Sequence, residues 1–147
     1  MYDRVVAYIT WGGRLLVFRH VDLPEAGIQV PAGRPEEGEG LEEAVLREAF
    51  EETGLKGLRL VSHLGTRVLD LPDRGGGVER RHFYHLEYRG DAPETWTHNE
   101  ENPSDGSPAP IVFELYWVGL DEGTELDWGH GDLLDELRRT MSRDPGR

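Results

Sequence analysis

The 147-residue chain has no cysteine, a single lysine and no long apolar run. Without cysteine it can have no disulfide staple, no thiolate metal site and no cysteine nucleophile. Its apolar stretches fall well short of the roughly 18 consecutive residues that a membrane span requires, and no charged segment followed by an apolar one opens the chain. A cytoplasmic protein with no membrane partner is therefore expected. Positive charge is scarce, since 16 basic residues, all arginine except Lys56, face 29 acidic ones for a formal net charge of -13. Such a balance repels phosphate backbones unless the basic residues are concentrated, and no basic run exists, so no nucleic-acid polymer is expected as a partner. Internal repeats are also lacking, and the length fits one domain spanning residues 1–147.

The pattern along the chain predicts strands with two helices. Val5 to Thr10 and Leu15 to His20 are β-rich segments around Trp11-Gly12-Gly13-Arg14, a hairpin signal. Gln29-Val30-Pro31 reads as a short extended piece, and a run of helix formers covers Leu41 to Thr53, with Gly54 at the C-cap. Leu58 to Thr66 and Arg81 to Tyr88 are expected as strands joined across a Pro72 to Gly77 turn. Gly90 to Pro110, rich in proline, is expected as loop. Ile111 to Val118 alternates as a strand with one face in the core, and a terminal helix is expected over about 132–142 with Leu133, Leu134, Leu137 and Met141 as its apolar stripe. Strands combined with two helices in one domain imply an α/β sandwich around a mixed sheet.

The acidic residues are clustered. Eight of them lie between Gly33 and Leu55 against only Arg34 and Arg47. On the predicted helix Glu48, Glu51 and Glu52 stand at i, i+3 and i+4 and share one arc, with Leu46, Ala49 and Phe50 expected to hold the other side against the sheet. Like charges at ~4–6 Å repel by about 1 kcal/mol per pair in water and by more in a cleft, so a neutralising partner is expected. A hard divalent cation meets that need, because Mg²⁺ prefers carboxylate oxygens and is completed by substrate phosphates. Gly33 ahead of the helix lets a backbone carbonyl approach the same point. Arg47, four residues before Glu51, can steady it, and Glu39 can orient Arg47.

Gly33, Glu39 and Arg47-Glu48-Ala49-Phe50-Glu51-Glu52-Thr53-Gly54-Leu55 fill the pattern G-x5-E-x7-R-E-U-x-E-E-x-G-U, where U is aliphatic. In this the chain resembles the Nudix hydrolase family, with the small Ala49 at the first aliphatic position. The resemblance implies a Nudix-like α/β/α sandwich and a Mg²⁺-dependent pyrophosphohydrolase, with Mn²⁺ as the other cation. The implied substrate is a small-molecule nucleoside diphosphate derivative: a nucleoside triphosphate, an oxidised nucleotide, a dinucleoside polyphosphate or a nucleotide sugar, cleaved by water attack at phosphorus. Glu48, Glu51, Glu52 and the Gly33 carbonyl become metal ligands, one of the three glutamates the base, and Arg47 and Glu39 orienting residues. The alternative is a nucleotide-binding sensor that keeps the fold without catalysis.

Relatives of this kind often add a carboxylate from outside the motif. The candidates are Glu100, Glu101 and Glu114, of which Glu101 and Glu114 are the two singled out. Arg19 and Arg80 are candidates for substrate phosphates. Trp96 and His98 stand either as a base-stacking pair or as anchors of their loop. The pattern leaves monomer and homodimer equally open.

Overall fold

The computed structural model describes residues 1–70, 77–100, 110–122 and 125–143, with the side chains of Glu122 and Arg143 left aside. Its strands are β1 (Tyr2–Trp11), β2 (Arg14–His20), β3 (Ala32–Gly33), β4 (Arg59–Asp70), β5 (Val78–Glu87), β6 (Thr95–Glu100) and β7 (Ile111–Gly119). The helices are α1 (Leu41–Thr53) and α2 (Leu134–Arg143). One sheet runs β4-β5-β1-β2-β7-β6, with β3 added to β1. β1 and β5 are parallel and the remaining pairs antiparallel, which makes the sheet mixed, as expected.

Central strands need apolar side chains on both faces. β1 accordingly buries Val5, Val6, Ala7, Tyr8 and Ile9 in succession. Val5, Ala7 and Ile9 join Ala44, Val45 and Ala49 of α1 in one core, while Val6 and Tyr8 join Leu134 and Leu137 of α2 and the preceding Leu133 in the other. The helices thus cover opposite faces, giving the α/β/α sandwich. Among the described residues, no helix is long and apolar enough to cross a membrane.

β1 and β2 pair only near their turn, at Thr10–Leu15 and Trp11–Arg14. Farther from the turn the chain between them is filled by the segment leading into β3. Gln29 exchanges backbone hydrogen bonds with Phe18, Ala7 N–H donates to Pro31 O at 2.8 Å, and Val5 and Val6 pair with Gly33 and Ala32. This wedge sets Gly33 in the body of the sheet below α1. The helix begins after Gly40, whose N–H is accepted by Glu43 Oε1 at 3.3 Å, and stops at Gly54, which adopts the left-handed conformation.

Three expectations are corrected. The segment taken as loop from Gly90 to Pro110 contains β6, in which Thr-Trp-Thr-His alternates two facings beneath a proline-rich composition that masked it. Phe50 does not pack on the sheet and is exposed, because the buried face of α1 runs through Ala44, Val45, Glu48, Ala49, Glu52 and Thr53. The terminal helix starts at Leu134, since the residues from Trp128 to Leu133 form turns first.

Candidate metal and nucleotide site

Because the burial stripe of α1 includes Glu48 and Glu52, two carboxylates project from the side of the helix that faces the sheet. Both are nearly inaccessible, at 3% and 6% exposure. Glu100, the last residue of β6, is also buried, and one oxygen from each of Glu48, Glu52 and Glu100 lies within 4.8 Å of the other two. Glu51 is not part of this trio. It stays half-buried at the rim, where Arg47 Nη1 donates to its Oε2 at 3.3 Å.

Backbone and side-chain donors fix Glu48 and Glu52. Ala32 N–H donates to Glu52 Oε1 at 2.9 Å and Arg47 Nη1 to Glu48 Oε1 at 3.0 Å. Arg47 is itself held by Glu39, through Nε at 2.8 Å and Nη2 at 3.0 Å, and Nη2 also reaches Arg34 O at 3.1 Å. One guanidinium therefore ties the turn before the helix to the helix. Its hydrogen bonds hold the Glu39 carboxyl below its ordinary value. Gly33 lies so close to Glu48 that a Cβ would fall on the Glu48 carboxylate.

The electrostatics are those of a site short of positive charge. Burial pushes Glu48 up to about 7, with Arg47 opposing and Glu51 and Glu100 adding repulsion. Burial together with the neighbouring Glu48 pushes Glu52 well above its ordinary value, with the Ala32 N–H and the charge of Arg4 opposing. A buried carboxylate needs a partner, and converging carboxylates that raise one another need a shared one. An all-oxygen donor set with a cradle that a side chain at Gly33 would fill suits a hard divalent cation.

A cleft of about 570 Å³ is lined by residues that include Tyr2, Arg4, Arg34, Gln29, Arg81 and Trp128, and the charge of Arg4 acts on Glu52 of the trio. Arg81 is buried against Glu79 at 2.5 Å and the Trp128 carbonyl. Arg34 lies over the Tyr2 ring with 4.0 Å to its centroid, and neither Arg4 nor Arg34 forms an ion pair among the described residues. The Trp128 wall is held by Asp127 Oδ2, which accepts Ile28 N–H at 2.8 Å, and by His130 Nδ1, which accepts Val30 N–H at 3.0 Å. Trp128 has φ of 62°, a strained value for a bulky side chain.

The other expected residues fall elsewhere. Arg19 pairs with Glu114 across β2 and β7, Nε to Oε1 at 3.0 Å. Arg80 donates to Asp3 Oδ1 at 2.8 Å near the starts of β5 and β1. Glu101 lies outside the described residues. Trp96 and His98 anchor their segment to α1, through Trp96 Nε1 to Thr53 O at 2.9 Å and His98 Nε2 to Glu51 O at 2.8 Å. Sequence reasoning missed Arg4 and Arg34, and it left Glu100 behind Glu101 and Glu114.

A family model for the NUDIX domain matches residues 1–137. No curated protein sequence matches the chain at a significant level. Among solved structures, the NUDIX domain of Shewanella oneidensis NrtR complexed with ADP ribose aligns with a TM-score of 0.67 at 18% identity, over 96% of this chain and 88% of that one. A NUDIX hydrolase from Nitrosomonas europaea aligns at 0.68 and 19% identity over 95% and 89% of the two chains. A C. elegans Ap4A hydrolase binary complex aligns at 0.66 and 16% identity over 97% and 99%. At these identities the likeness carries the fold, whereas the family model spans nearly the whole sequence and includes the complete motif. The chain belongs to the Nudix hydrolase family.

Proposed function

We propose that the protein hydrolyses a phosphoanhydride bond in a nucleoside diphosphate derivative by water attack at phosphorus, with Mg²⁺ as its cation and Mn²⁺ as a substitute. The observation that carries this reading is the buried convergence of Glu48, Glu52 and Glu100 within 4.8 Å of one another, with Arg4, which lines the cleft, acting on Glu52. Glu48, Glu52, Glu100 and the Gly33 carbonyl would hold the cation. When bound, the ion supplies the positive charge that a diphosphate and an ionising water both require.

The remaining roles belong to the chain itself. Ala32 N–H fixes one oxygen of Glu52 and leaves the other for coordination. Arg47, gripped by Glu39, holds the carboxylates of Glu48 and Glu51 in place. Glu51, half-exposed at the rim, takes the proton of the attacking water in this reading. Arg4 and Arg34 receive substrate phosphates, and the Tyr2 and Trp128 rings offer flat apolar faces to the rest of the substrate. The cleft has the size of an ordinary small-ligand pocket. ADP ribose and Ap4A, named for two structural neighbours, both carry a nucleoside on a phosphate chain, which is the class assigned here.

The test is a panel of nucleoside triphosphates, oxidised nucleotides, dinucleoside polyphosphates, ADP-ribose and nucleotide sugars, incubated with Mg²⁺ or with chelator and resolved by chromatography. Metal-dependent release of a nucleoside monophosphate or of pyrophosphate from at least one member is expected. Tight binding without any product across the panel contradicts the proposal.

A further inference from the structure

Alternate residues of a strand face the same way, so Trp96, His98 and Glu100 lie on one face of β6. Among the described residues β6 is an edge strand, paired only to β7. Its other restraint comes from α1. The last carbonyls of a helix have no partner within it. Two of those carbonyls in α1, Glu51 O and Thr53 O, accept ring N–H groups from His98 at 2.8 Å and from Trp96 at 2.9 Å. A carbonyl only accepts, so His98 Nε2 carries the hydrogen. The approach is close because of Gly54, where a Cβ would stand 3.0 Å from the His98 ring. Trp96 is seated from the other side by the Trp117 ring, with 6.1 Å between centroids.

The same strand face thus grips the end of the helix that carries Glu48 and Glu52 and, two residues beyond His98, delivers Glu100 to them. We propose that His98 and Trp96 are positioning residues, which lock β6 to the final turn of α1 and so set the distance from Glu100 to the Glu48–Glu52 pair. Glu100 lies outside the motif and pairs through its backbone with Ile111 of β7. The two ring donors tie that strand to α1. The inference rests on the cation-site reading given under the proposed function.

The experiment titrates Mn²⁺ alone into the full chain and its variants, with the melting temperature in chelator recorded for each. His98→Phe keeps a ring but loses the donor, and Trp96→Phe does the same for the indole. Each is expected to weaken Mn²⁺ binding by roughly 10–100-fold, the usual effect of removing a group that orients a ligand. His98→Gln, which restores an amide donor, recovers most of that loss. A purely structural role would move the melting temperature and leave the affinity.

The decisive readout is the double variant. If His98 acts through Glu100, then His98→Phe adds nothing once Glu100→Gln is present. Independent, multiplying losses in the double variant, or wild-type affinity in both ring variants, overturn the proposal. Should His98→Phe not fold, Trp96→Phe with the same double variant carries the test. Failure of Glu100→Gln itself to weaken Mn²⁺ binding refutes instead the cation-site reading, and so the inference that stands on it.

Discussion

Raising the pH from 5 to 8 in chelator destabilises this protein, because its buried acids prefer to be protonated when no cation is bound. Burial lifts Glu48 from an ordinary 4.5 to about 7. The stabilisation from its protonated form is complete below pH 4.5 and disappears as pH rises through about 7, because the folded state then binds more protons than the unfolded one. At ~1.4 kcal/mol per pH unit the displacement corresponds to roughly 3 kcal/mol, and Glu52 acts in the same direction. For a domain of this size that is about 10 °C in melting temperature. Asp3, held near 2 by Arg80 and His82, is ionised throughout this range and adds no slope. The assay is a thermal melt followed by circular dichroism at steps from pH 5 to 8, in chelator and again in excess Mg²⁺. A steep fall in chelator is expected, largely abolished by Mg²⁺ and reduced in Glu48→Gln. A flat profile in chelator, or the same slope in Glu48→Gln as in wild type, refutes the reasoning.

Further outcomes follow from the same geometry. Glu52→Gln should lower kcat by about 100-fold or more, the scale of several kcal/mol of lost charge stabilisation, while raising the melting temperature in chelator by removing a repelling acid. Gly33→Ala should fold by circular dichroism yet lose most of its Mg²⁺-induced thermal shift, because the new methyl occupies the space of the Glu48 carboxylate. Arg34→Ala and Arg4→Ala should each raise KM more than they lower kcat in steady-state assays. Arg19→Ala, whose guanidinium is spent on Glu114 and which does not line the cleft, should leave both constants within about twofold, as expected of an exposed ion pair.

The sequence was legible where local chemistry decides structure. The Trp11 to Arg14 turn, the 41–53 helix and the alternation in β7 follow from glycine placement and side-chain period, and the structure reproduces each of them. The fixed spacing of the motif likewise identified the family, since the helix repeat alone places Glu48 and Glu52 one turn apart. What stayed hidden depends on tertiary pairing. β6 is short and exposed on one face, and its strand character comes from β7 and from the helix carbonyls that its rings cap. With β6 read as loop, nothing distinguished Glu100 from Glu101, although in a strand the parity with Trp96 and His98 selects Glu100. Phe50 was misplaced for a related reason. Apolar residues were assumed to face the sheet, whereas here the sheet side of α1 buries two glutamates and leaves a phenylalanine in solvent. Arg4 and Arg34 are far apart in sequence and meet only because β3 pairs with β1.

The most direct measurement is an anomalous difference map from crystals soaked in Mn²⁺. The account predicts a peak within coordination distance, roughly 2.0–2.6 Å, of carboxylate oxygens of Glu48, Glu52 and Glu100. A map in which Mn²⁺ binds elsewhere, at Glu114 for example, or nowhere within reach of Glu52, contradicts it.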